Sequence, residues 1–263
     1  MKIGRQDQPI TSICRSDAEH IEVRGLDLCD ELIGQIGFAD YFFLLVTGGK
    51  PTSEQSYFLN AVLVAIAEHG LVPSVQAARM TYAAAPDALQ GAVAAGILGC
   101  GTVVLGSAEV SAQFLQRIVA SAEADGRPVP EAARAELVEL RAGKRAVPGW
   151  GHPEHVDGDP RAKCLIRLAR QRGVAGRHVA LVDTVTELVP DIYGRRLLPN
   201  VSAAIPAVML DVGFPAAVMK GVPILARTAG LIGHLYEESQ RPIGFTLAYN
   251  AEQAIGFEPQ AQG

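Results

Sequence analysis

The sequence predicts an all-α protein, and three observations carry that expectation. Apolar residues recur at three- and four-residue spacing along most of the chain. Helix start and stop residues bracket those windows. Strand-like runs are confined to two short segments, "EVRG" near the start and "IGFTLAY" near the end.

The elements follow in order. "TSEQSYFLNAVLVAIAEHG" opens after Pro51 with Thr52 and Gln55 spaced as a capping box. Phe58, Leu59, Val62, Leu63 and Ile66 then lie at helical spacing, and Gly70 is placed to close the helix, with His69 at its end. "LQGAVAAGILGCGTVVLG" just reaches the ~18 apolar residues of a membrane span. It lacks aromatic and basic flanks, so it reads as a buried helix followed by a loop. "SAEVSAQFLQRIVASAEA" and "EAARAELVELRAG" are amphipathic helices separated by the turn "DGRPVP". "PRAKCLIRLARQRG" starts at Pro160 and ends at Gly173, the expected proline/glycine asymmetry. "HVALVDTVTELVPDIYG", "SAAIPAVMLDVG" and "VPILARTAGLIGHLYEES" continue the pattern. Ser202 is positioned to cap the second of these, with Pro206 in its first turn.

The chain has 263 residues, 49% hydrophobic and 19% charged, enough for a substantial core. That length fits one large domain, or a large domain with a smaller one inserted. A net charge of −5 without any basic run argues against nucleic-acid and membrane-surface partners. Cys14, Cys29, Cys100 and Cys164 show no paired spacing and read as reduced, mostly buried thiols. The polar start "MKIGRQDQPITSI" is not a signal peptide, so a cytoplasmic location is expected.

Chemistry concentrates in "AVPGWGHPEHVDGDPRA". His152 sits between glycine-rich and proline-rich segments and is the natural acid or base near neutral pH, or else an exposed loop histidine. His152, His155, Asp157 and Asp159 fit no zinc spacing, and no second ligand cluster is evident elsewhere, so no metal is expected. Arg161, at a helix start, opposes the helix dipole. It suits either a carboxylate clamp or a pair with Asp157 or Asp159. Arg227 shares an otherwise apolar helix face with Leu231 and His234. It suits an anion clamp or a snorkelling side chain. His69 reads as a helix-terminal histidine meeting the last carbonyls, or as a site residue.

Taken in order, these segments resemble the citrate synthase family along nearly the whole chain. "VPGWGHPEHVDGDPRA" resembles the family's PGFGHxVxxxxDPR loop, "AIAEHG" its ADHG helix end, and "GVPILARTAGLIGHLYEE" its ARTAGWIAHWLEQ helix. The opening "TSICRSDAEHIEVRGLDLCDELIG" is similar to the family's first segment. The compact length resembles the small bacterial citryl-CoA lyases, which are also similar to the carboxy-terminal module of ATP-citrate lyase.

The resemblance implies a helical homodimer, or an oligomer built on that dimer. The large domain would be 1–107 and 213–263, and the smaller closing domain 108–212. It implies carbon–carbon bond making or breaking between a coenzyme A thioester and a 2-oxo acid, with acyl-CoA and oxaloacetate or citrate-like carboxylates as substrates. His152 matches the catalytic histidine that exchanges a proton with the ketone or alcohol oxygen. His69, Arg161 and Arg227 match carboxylate-binding positions, and Arg241 matches one supplied across the dimer. The backbone of Val147, Pro148, Gly149, Trp150 and Gly151 matches the loop that contacts CoA.

Two catalytic positions depart from the family. Its enol-stabilising histidine falls on Val104, and its aspartate base falls on Ser202. A neutral hydroxyl is no carboxylate base. Losing one stabiliser costs on the order of 10²- to 10³-fold in rate. Cleavage tolerates these losses better than synthesis, because water can protonate the departing enol. The expected activity is therefore cleavage of citryl-CoA, or of a similar 3-hydroxy-3-carboxy-acyl-CoA. The alternatives are an altered condensing enzyme, an acyl-CoA hydrolase, or a non-catalytic CoA- and dicarboxylate-binding protein.

Overall fold

The computed structural model describes residues 9–101, 106–152 and 155–258. They form eleven α-helices and one small sheet, so the all-α expectation holds. Cα packing divides the chain into two compact units, Met1–Asn60 and Ala61–Gly263, and the expected closing domain at 108–212 lies wholly within the second.

In the first unit, strands β1 (Cys14–Ser16), β2 (Ile21–Val23) and β3 (Leu26–Asp27) form an antiparallel sheet. "EVRG" supplies β2 and its turn. Arg24 and Gly25, at φ +53° and +83°, have the paired positive φ of a tight two-residue hairpin. Val23 and Leu32 form a small core with Leu44 of α1 (Phe38–Thr47). Helix α2 (Ser53–Ala67) opens with the predicted capping box. The Thr52 N–H donates to Gln55 Oε1 at 2.9 Å, and the Gln55 N–H donates to Thr52 Oγ1 at 3.3 Å.

In the second unit, α3 (Pro73–Ala84) and α4 (Leu89–Leu98) pack on each other and on α10 (Gly221–Gln240), and α11 (Gly244–Ala254) packs on α3. Helices α5 (Gly106–Asp125), α6 (Val129–Ala142), α7 (Pro160–Gln171), α8 (Arg177–Tyr193) and α9 (Val201–Asp211) form a second set. α9 is apolar all round and lies against α5, α7 and α8, the burial expected of such a helix. Its last residue, Asp211, caps α8. The carboxylate accepts from the N–H groups of Gly176, His178 and Val179 at 2.8–3.0 Å.

Several expectations need correction. "IGFTLAY" is helical, as part of α11. The Glu238 carboxylate accepts from the N–H groups of Ile243 (2.9 Å) and Gly244 (2.7 Å), and this capping with packing on α3 overrides the strand propensity of Phe245 and Tyr249. α2 ends at Ala67, so His69 lies beyond the helix. The cap of α9 is Asn200, whose side chain accepts from the Ser202 N–H at 2.8 Å. Ser202 is therefore inside the first turn, and Pro206 falls in the second. Only Cys100 of the four free cysteines is buried, because Cys14 is on an exposed strand and Cys164 on the outer face of α7. Helix α4 buries chiefly its small residues Ala92 and Gly96, and Leu98 faces solvent. Among the described residues, Ala216–Gln240 alone has the length and hydropathy of a membrane span. Arg227 and Glu238 are buried within it.

Glu238 carries a second duty. Its carboxylate pairs with Arg79 Nε of α3 at 2.6 Å, with both side chains almost fully buried. Burial alone would raise the Glu238 carboxyl. The Arg79 hydrogen bond and the Ile243 and Gly244 N–H groups outweigh it and hold the group below its ordinary value. A depressed carboxyl contributes stability above its unfolded pKa and loses it as pH falls through the folded one. Glu238→Gln should thus destabilise at neutral pH, by about 3 kcal/mol for a broken buried pair. It should also flatten the loss of stability between about pH 5 and 3, read by urea unfolding across pH. An unchanged acid limb would contradict this role.

Candidate active site

The site is assembled within the second unit from a corner, a loop and three helix starts. The corner follows α2. Glu68 folds back so that Oε1 accepts from the His69 N–H at 2.7 Å and the Gly70 N–H at 2.6 Å. Gly70 takes φ +73°, which turns the chain toward α3. Glu68 Oε2 stands 2.8 Å from His234 Nε2 of α10. The contact is close: a Cβ on Gly230 would fall 2.0 Å from the Ala67 carbonyl oxygen. Arg227 lies three residues before Gly230, about 4.5 Å along the helix. It is buried to 7% exposure, and its Nε and Nη1 have no hydrogen-bond partner among the described residues. His234, on the same α10 face, also approaches Arg79 Nη1 at 3.5 Å.

The loop is pinned from several sides. Pro148 O accepts from Ser111 Oγ of α5 at 2.8 Å. Trp150 Nε1 donates to Thr186 Oγ1 of α8 at 2.9 Å, and its ring meets Phe114 edge-on at 5.9 Å. The Asn200 N–H donates to Gly149 O at 2.8 Å, the Gly151 N–H to Leu198 O at 2.8 Å, and Asn200 Nδ2 to Gly151 O at 2.6 Å. Gly149 (φ +86°) is obligatory, since a Cβ there would lie 2.5 Å from Ser111 Oγ and 2.9 Å from Ala203 Cα. Val147 and Trp150 are buried. Much of the backbone expected to touch CoA is thus spent on holding the loop, and a ligand would meet what that pairing leaves.

This scaffold presents His152 beside His69, with ring centroids 6.0 Å apart. His155 joins them, 4.5 Å from His152 and 6.1 Å from His69. Its N–H donates to His152 Nδ1 at 3.2 Å. A neutral ring accepting at Nδ1 carries its proton on Nε2, so His152 offers an N–H in this arrangement.

Arg161 begins α7 next to its cap, Asp159. Its Nε and Nη2 grip the Asp159 carboxylate at 3.0 and 2.9 Å. The pair is no surface pair: the Asp159 side chain is fully buried and also accepts from the Val201 N–H of α9 at 2.9 Å. Burial would raise the Asp159 carboxyl, but Arg161 and the Val201 and Arg161 N–H groups overcome it and lower the pKa. Asp159 thereby also offsets the helix-start cation conflict at Arg161, whose Nη1 is not used by Asp159. Arg241 is not brought to this cluster. It ends α10 exposed, fourteen residues past Arg227 and so about 21 Å along the axis. Ser202 Oγ pairs with Ser107 Oγ at 2.9 Å. Val104 lies outside the described residues.

Three clustered histidines, a buried arginine with idle donors and a second arginine held by a carboxylate are groups suited to small carboxylates. The comparisons with known proteins make the class specific. The description "Citrate synthase, C-terminal domain" matches residues 34–244, and the chain belongs to the citrate synthase family. It is similar to citryl-CoA lyase from Hydrogenobacter thermophilus, with TM-score 0.84, 30% identity, and coverage of 97% of this chain and 96% of that one. ATP citrate lyase from Methanothrix soehngenii, in complex with citrate and coenzyme A, shares the fold at TM-score 0.77 and 22% identity, over 99% of this chain and 43% of that one. Citrate synthase from Haloferax volcanii is 25% identical over 229 residues, 85% of this chain and 58% of that one. The chain spans about half the length of the curated relatives it matches.

Sequence reasoning missed the supports of this site. Asn200 was overshadowed by Ser202, although the run Asn-Val-Ser offers two cappers. Asp159 before Pro160 is a helix-start signature that could have marked it as a cap. His155 was weighed only within its own loop, whereas its neighbour His69 comes from a distant corner.

Gly149→Ala should cost on the order of 3 kcal/mol in urea unfolding, from backbone strain and the clash with α9. Gly233→Ala, on the same protein, meets open space and should not. Equal losses would contradict the role given to the loop.

Proposed function

We propose that the protein cleaves citryl-CoA, or a closely similar 3-hydroxy-3-carboxy-acyl-CoA, to oxaloacetate and acetyl-CoA. The observation that carries this reading is Arg227, a buried guanidinium with two idle nitrogens one helical turn from the corner that presents His69. An unpaired buried cation costs stability, and a site keeps one only if a ligand anion completes it. The end-to-end likeness to a citryl-CoA lyase supports the choice of reaction.

Arg227, His69 and Arg161 hold carboxylates of the substrate, and His152 faces the oxygen that alternates between hydroxyl and ketone. In cleavage the hydroxyl proton leaves, the C–O bond becomes C=O, and the adjacent C–C bond breaks. Its electron pair passes to the acetyl-CoA enolate, which takes a proton from water. His152 takes the hydroxyl proton at Nδ1 once its 3.2 Å contact with the His155 N–H opens. Releasing so long a bond costs about 1 kcal/mol. In the reverse direction the proton returns from Nδ1 to the ketone oxygen. CoA lies along the Val147–Gly151 loop, the 108–212 segment closes over it, and a second copy of the chain brings Arg241 to the site.

The direct assay supplies (3S)-citryl-CoA and couples oxaloacetate release to malate dehydrogenase. Turnover is expected, and His152→Ala should lower it by at least 10²-fold. CoA binding without turnover would defeat the lyase reading. Arg227→Met should weaken oxaloacetate binding by tenfold or more while raising the stability of the ligand-free protein by about 1 kcal/mol or more. A destabilised variant with normal binding would show that Arg227 is structural.

A further inference from the structure

The proposed reaction uses two of the three clustered histidines and leaves His155 without a side-chain role. One ligating atom from each of His69, His152 and His155 lies within 4.8 Å of the other two. The sequence spacing within the loop fits no metal motif, but the third histidine is delivered by the corner after α2. All three rings are partly buried, so their nitrogens are sheltered yet reachable.

From this juxtaposition we infer that His69, His152 and His155 form an open three-imidazole site for a late first-row divalent cation, Zn²⁺ being the physiological candidate. Three neutral nitrogens are the donor set such ions prefer over Mg²⁺ or Ca²⁺, which take oxygen ligands. Bonds of about 2.05 Å in a tetrahedron require the nitrogens to close to about 3.3 Å of one another. Side-chain rotation at partly exposed positions supplies that movement. The carboxylate of Glu68, fixed at the corner, holds the His69 backbone while its ring turns. A fourth position stays open to water or a substrate oxygen. Each imidazole ligates only through a lone pair, so protons compete and affinity falls as the solution is acidified.

The consequence for activity rests on the lyase reading: metal bound there occupies His152 and His69, so Zn²⁺ inhibits turnover and a chelator restores it. The metal site itself is read without turnover. Tag-free, chelator-stripped full-length protein is titrated with ZnCl₂ by calorimetry and with CoCl₂ by visible absorption. One ion per chain and the intense absorption of four-coordinate cobalt are expected. His155→Ala and His69→Ala should each weaken binding at least tenfold, with helix content and melting checked for each variant. His155→Gln, which keeps the bulk on the loop, should weaken it equally. Binding that survives both alanine substitutions, or cobalt that stays six-coordinate, would overturn the site. Citryl-CoA turnover undiminished by saturating Zn²⁺ would overturn the inhibition, and absence of turnover in metal-free protein would count against the lyase reading alone.

Discussion

The buried carboxylate of Asp159 is the constraint on which the site depends. It caps α7, grips Arg161 in two places and accepts the first N–H of α9. One side chain thereby sets the start of two helices, the end of the histidine loop and the direction of an arginine. Such a carboxylate stays ionised inside the protein only because every oxygen is engaged, and charge-assisted hydrogen bonds are strong where water is excluded. Asn200 repeats the device one residue before α9, tying that helix back to Gly149 and Gly151. The histidine loop is thus pinned at Pro148–Gly151 before His152 and at Asp159 after it.

Against this pinning stands a buried deficit in α10. Arg227 lies buried in α10 with Nε and Nη1 unbonded among the described residues. Arg79, on the neighbouring α3, shows the contrast: it meets Glu237, Glu238 and the Arg241 carbonyl. Both arginines are buried, yet only one is satisfied. That difference is the ground for the ligand role proposed for Arg227.

Much of the fold was legible because its signals are local. The capping box of α2, the proline start of α7 and the apolar faces of α5 and α8 depend on neighbours a few residues apart. α11 was not legible, because its start is capped by Glu238 and its face is set by α3, both tertiary facts. Asn200 and Ser202 competed for one capping role that sequence could not apportion. The site was readable as a set of candidates through its resemblance to the family. Its working parts were not: the idle nitrogens of Arg227, the grip of Asp159 on Arg161 and the meeting of His69 with His155 exist only once distant segments are packed.

The account stands on a dicarboxylate being held between Arg227 and His152. A crystal structure of the protein soaked with oxaloacetate and CoA measures this directly. It should show one carboxylate on Arg227 Nε and Nη1, the ketone oxygen within hydrogen-bond reach of His152, and Asp159 still gripping Arg161. Oxaloacetate bound elsewhere, or absent at saturating concentration with Arg227 unchanged, would contradict it.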